Sequence, residues 1–220
     1  MAIPRRDFTA NMNPIINSES LEKELTKRSA PAFVPLFLAG LFMVTGMCAL
    51  IFIGREKARI LGQSITDLDI QPLLNTETPI TDADMQGKVV VIHFWGYWSP
   101  ESAKELPDFA KTQSEYRKDG EVLFASISCN QHSNDTQDSL QFYTKKFLQD
   151  TDASDLPVYG DPAEFSRARI SQLLTAGGFS YPTTLVIDSA GRVADVWRAA
   201  VPPSALKKAI EKAKLSNKVR

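Results

Sequence analysis

Val89-Val-Val-Ile-His-Phe-Trp-Gly-Tyr-Trp-Ser-Pro-Glu-Ser102 is the stretch whose reading decides the fold. Lys88 leads into a valine-rich apolar run up to Trp95, interrupted only by His93, and such a run reads as a buried central strand. Ser99 then stands where a helix N-cap belongs. Pro100 suits the first helical position, and Glu101 complements the positive end of the helix. The expected helix continues to about Lys118, with Gly120 closing it.

Working outward, Glu121 to Ser128 reads as the next strand. Residues 135–150 and 162–175 read as helices, separated by the short extended piece Leu156-Pro-Val-Tyr159. Thr183 to Asp188 is a further strand, and Ser189-Ala-Gly191 turns it back into Arg192 to Trp197 as a hairpin. The last element is an amphipathic helix from Ser204 to Leu215, with Leu206, Ala209, Ile210 and Ala213 on one face. Strands alternating with helices predict an α/β fold with a partly parallel sheet and an antiparallel hairpin edge.

Four of these segments resemble the thioredoxin/redoxin family, and together the likeness covers roughly residues 65–215. Gly87 to Trp95 is similar to the strand before that family's active site. Trp98-Ser-Pro-Glu-Ser102 is similar to its Trp-Cys-Pro-x-Cys turn. Tyr181-Pro182-Thr183-Thr184 resembles its cis-proline loop, and Ile187 to Arg192 the hairpin that follows. The resemblance implies a thioredoxin-like fold, a central mixed sheet flanked by helices. It puts the two cysteine positions on Ser99 and Ser102. A thiol ionises near pH 8.5, whereas a serine hydroxyl is far less acidic and forms no disulfide. The resemblance further implies a cis Pro182 and a shallow groove for extended peptide, framed by Trp98, Tyr181, Pro182 and Thr183, with Trp95 beside them. His93 stands where many thioredoxins place a buried acid. With no thiol to serve, it reads as a strand histidine bonded to backbone or hydroxyl.

Cys129 follows the strand ending at Ser128, and ligand sites of parallel sheets lie at the carboxyl ends of strands. It is the one cysteine of the expected domain, so an internal disulfide there is excluded. A rival reading makes it a lone thiol working with an external thiol, as an oxidoreductase of modified mechanism. His93, His132 and Cys129 do not make a metal set, and no cofactor is expected. Beyond residue 54 there are 20 basic and 22 acidic residues with no basic block, which leaves nucleic-acid binding without support.

The amino-terminal part differs in character. Residues 1–31 are polar and read as a disordered tail. From Ser29 to Gly54 there are 26 residues without a charge, and Phe33 to Ile53 is dense in large apolar side chains. About 20 such residues cross a bilayer core, so residues 32–54 are expected to form one transmembrane helix. Residues 55–67 then read as a linker and 68–216 as the thioredoxin-like domain. Basic residues flank the span on both sides, with a lean toward a cytoplasmic amino terminus. The layout is similar to membrane-tethered redoxins that work outside the cytoplasm. The expectation is a single-pass protein whose domain binds or positions a protein or extended peptide without dithiol chemistry. On carbonate extraction of membranes the protein is expected to stay in the pellet, and release of the intact chain into the supernatant would overturn the anchor.

Overall fold

The computed structural model describes residues 59–132, 134–174 and 179–218, together with Ala39, Leu41 and Met43, which are helical. Most of the expected span and all of the expected tail lie outside the described residues. Among those described, no helix is long and apolar enough to cross a membrane.

The expected central strand is β2, Val89–Trp95, and all seven of its residues are buried. A side chain every second residue points to the same face. Val90, Ile92 and Phe94 therefore enter one apolar cluster, while Val89 and Val91 enter another. Elements follow in the order β1 (Gln71–Leu74), α1 (Asp82–Met85), β2, α2 (Pro100–Glu115), β3 (Val122–Ser128), α3 (Gln137–Asp150), β4 (Val158–Gly160), α4 (Phe165–Leu173), β5 (Thr183–Ile187), β6 (Val193–Trp197) and α5 (Pro203–Lys218). The sheet order is β1-β4-β3-β2-β5-β6. Strands β2, β3 and β4 run parallel. Strands β1, β5 and β6 are antiparallel to their neighbours. This is a thioredoxin-like α/β arrangement, with helices on both faces.

Each face has its own core. Phe109 of α2 and Leu206, Ile210 and Ala213 of α5 cover Val89, Val91, Phe124 and Val186. Ile170 of α4 and the preceding Ile60, Ile65 and Ile70 cover the other face. Ile60 and Ile65 are buried, so the folded unit starts within the stretch 55–67 that reads as linker in the sequence. Gly62 donates to the Val193 carbonyl (2.8 Å), Val193 donates to Gln63 (3.0 Å), and Ile65 donates to Gly191 (3.0 Å). The segment is thus laid along the outer edge of β6.

Three local details differ from the sequence reading. Strand β1 is unanticipated because it is four residues long and contains Pro72. It is an edge strand, the place where a sheet tolerates proline. Helix α2 ends at Glu115 rather than near Lys118. The Tyr116 ring lies 5.9 Å from that of Phe124 and its hydroxyl donates to Glu211 (3.0 Å), which draws the chain out of the helix. The expected helix 162–175 is broken into a 3-10 turn, Pro162–Glu164, and α4. Ala163 and Glu164 adopt positive φ (50° and 60°). The Asp161 carboxylate explains the break, since it accepts from the Ser166 and Arg167 amides (2.7 and 2.9 Å) and caps α4 itself.

Ile210 is fully buried between α5 and the sheet. Ile210→Ala should lower unfolding free energy by about 2–5 kcal/mol, read as a reduced denaturant midpoint with unchanged slope.

Candidate functional site

Strand β2 delivers Gly96-Tyr97-Trp98 to the carboxyl edge of the sheet, and Ser99 caps the helix that follows. Ser99 Oγ accepts from the Ser102 amide (3.3 Å). The same hydroxyl donates to the Tyr181 carbonyl (3.3 Å), immediately before the cis Tyr181–Pro182 bond. Ser102 Oγ accepts from the Gly96 amide (3.3 Å). The two serines therefore tie the start of α2 to its own loop and to the loop across from it. Both are buried.

Trp98 and Tyr181 are half-buried and meet edge to face, with ring centroids 5.0 Å apart at 75°. Gly96 permits this placement. A Cβ at that position would sit 2.8 Å from the Trp98 ring, closer than real contacts allow. Tyr181 is held from behind by Arg167, whose Nη1 donates to the phenol oxygen. Arg167 is fixed in turn by Asp161 (3.3 Å) and Glu164 (3.2 Å). On the other side Tyr97 stacks on the exposed Tyr143 of α3, with centroids 5.1 Å apart, and donates to Asp135 (3.5 Å).

The structure brings Trp98, Ser99, Ser102, Tyr181 and Pro182 together as the sequence reading anticipates. Thr183 is a different case. It is fully buried in β5, and its hydroxyl donates inward to the Ser180 carbonyl (2.7 Å), so it lines no open groove. Trp95 is equally buried. Its indole donates to Ser126 (2.9 Å) and its ring stacks on Phe147. Cys129 is 1% exposed, and its amide bonds to the Trp95 carbonyl (2.9 Å). Burial pushes its thiol up to about 12, against the opposing pull of Arg167.

Beneath the loop lies a buried pair: His93, a strand histidine bonded to a hydroxyl as the sequence predicts, and Glu105, which the sequence reading missed. His93 Nδ1 lies 2.9 Å from the Thr184 hydroxyl, the ring stacks on Phe109 at 4.0 Å, and Nε2 lies 3.9 Å from Glu105 Oε2. Glu105 Oε1 accepts from the Val201 amide (2.8 Å). Burial holds the imidazole neutral, pushing it down to about 3, and pushes the carboxyl up to about 7. Glu105 sits among charged residues in sequence, where nothing marks it as inward-facing.

The chain matches the AhpC/TSA family over residues 61–196. No curated protein sequence matches it. Among solved structures it is similar to a thiol:disulfide interchange protein of the thioredoxin family from Chlorobium tepidum. That likeness has 21% identity and TM-score 0.51, covering 70% of this chain and 96% of that one. It is similar to a secreted thiol-disulfide isomerase from Corynebacterium glutamicum (22%, TM-score 0.52, covering 69% and 84%). A third is the exposed lipoprotein thioredoxin of Streptococcus pneumoniae (19%, TM-score 0.52, covering 67% and 99%). At such identities the likeness is one of fold.

The Glu105 carboxyl gives a pH test with a definite sign. Its pKa is raised on folding, so its contribution is intact below its ordinary 4.5 and is lost as pH rises through about 7. Glu105→Gln keeps an acceptor for Val201 and removes the titration. Relative to wild type, the variant should gain stability between about pH 5 and about pH 8, by on the order of 2–3 kcal/mol. Denaturation curves across that range check it, and a constant difference would overturn the assignment.

Proposed function

We propose that this chain, which belongs to the AhpC/TSA family, is a redox-silent member that binds or positions a protein through the aromatic groove beside its cis-proline loop. In the same reading, residues 32–54 hold it in a membrane with the domain outside the cytoplasm. The observation that carries the reading is the hydroxyl of Ser99. At the helix start facing the cis-proline, where a thiol would be needed, Ser99 is committed to the Tyr181 carbonyl, and Ser102 is committed to Gly96. A hydroxyl so placed serves as a structural bridge and carries no redox chemistry.

The rival reading needs Cys129 to ionise and to meet an external thiol. It is supported only by the position of Cys129 at the end of β3, and its burial and raised pKa oppose it. The thiol-disulfide activities of the solved neighbours remain theirs. What this chain retains is the rim of the site. Trp98 and Tyr181 offer apolar area on few rotatable bonds, and such residues concentrate interface energy. Buried Pro182 shapes that rim from below.

Two measurements test the reading. Full-length protein should show no insulin-reducing turnover with dithiothreitol above the uncatalysed rate, and Ser99→Cys with Ser102→Cys should gain it. Wild-type turnover that survives Cys129→Ala would overturn the redox-silent assignment. Crosslinking in membranes should yield a partner lost in a folded Trp98→Ala, Tyr181→Ala double variant, and retained under reductant. An unchanged partner set in that variant would move the interaction off the groove, while loss only under reductant would favour Cys129.

A further inference from the structure

We propose that a cavity at the carboxyl ends of β3 and β4 receives a lysine or arginine side chain of the same peptide that lies across Trp98 and Tyr181. The inference rests on the peptide-binding reading above and adds the chemistry of the bound sequence. The cavity has a volume of about 200 Å³. Leu73 of β1, Leu140 of α3 and Pro162 give it apolar walls, and Asn130, Asp135 and Gln137 supply its polar side. Among the described residues no lysine or arginine lines it. A basic side chain needs this combination, an apolar sleeve for its stem and acceptors for its head.

One acceptor of the wall is left over. Asp135 Oδ2 accepts from the His132 amide (3.1 Å) and from Tyr97 (3.5 Å), and no bond to its Oδ1 is made among the described residues. The second carboxylate of the wall, Asp161, is already engaged by Ser166 and Arg167 and brings no further demand for a cation. A carboxylate with one oxygen unbonded among the described residues favours a cationic donor over a neutral one.

The placement fits one continuous peptide. Tyr97, which bonds Asp135 of the cavity wall, precedes Trp98 in the same loop, so one hydrogen bond ties the cavity to the loop of the groove. The sheet order sets β4 two strands from β2. At about 4.8 Å per strand the separation is roughly 10 Å, about three residues of extended chain. A peptide crossing the carboxyl edge of the sheet would thus present an apolar residue to Trp98 and, about three positions away, a basic one to Asp135.

Selection of a random peptide library displayed on phage against the full-length protein tests this. Selected peptides should carry Lys or Arg at a fixed spacing from an apolar residue. Replacing that basic residue by Gln should weaken binding roughly tenfold. Asp135→Asn, which keeps the local hydrogen bonds, should abolish the preference, and Asp135→Lys should replace it by a preference for Asp or Glu. Peptides that bind and are lost in Trp98→Ala, yet show no basic preference or keep it in Asp135→Asn, would overturn the cavity's role and leave the groove standing. Peptide binding indifferent to Trp98→Ala, or no selected peptide at all, would overturn the groove reading and this inference with it.

Discussion

Strand β2 is the constraint on which the rest depends. With both faces covered and both edges hydrogen-bonded, it has no side chain that can change sides without exposing a whole set of apolar residues. Val89 and Val91 must meet α2 and α5, His93 and Trp95 stack on Phe109 of α2 and Phe147 of α3, and the even-numbered residues meet the opposite layer. That fixes where the chain leaves the sheet after Trp95. It also fixes where the loop 96–99 faces the loop of Tyr181, because β5 pairs directly with β2 through Phe94 and Thr183. The site is an outcome of strand register before it is an outcome of any polar contact.

The polar groups then determine what kind of site it is. Three sets converge there. The serines tie loop to loop, Arg167 holds Tyr181 from behind, and the His93–Glu105 pair fills the space beneath α2. All three face inward. What faces outward is aromatic, in Trp98, Tyr181 and the Tyr97–Tyr143 stack. A surface built this way suits recognition by shape and apolar contact, with reactive groups withdrawn from solvent.

Much of this was legible in the chain because the signals were local. The apolar run, the Ser99 cap and the hairpin each depend on neighbours within a few residues, and each is found within a residue or two of where the sequence puts it. The cis peptide before Pro182 followed from the resemblance alone. The unread features share another property: their causes lie far along the chain. Pro72 argues against a strand until β4 supplies a partner at the sheet edge. Glu105 looks solvated until Val201, 96 residues later, supplies its donor. Thr183 looks like a groove residue until the pairing of β5 turns it inward. Ala163 and Glu164 look helical until Asp161 takes the amides they would have led into.

The strap of residues 62–65 along β6 has a mechanical consequence. Hydrogen bonds to Gly191 and Val193 attach it to the outermost strand. A pull on the chain from its amino-terminal side therefore reaches the domain first through that edge. The strap would peel before β5 and β2 carried load, so tension would loosen β6 while leaving the strands beneath the groove in register. The domain thus has a sacrificial outer seam, and traction from its leading end is spent there rather than on the recognition surface.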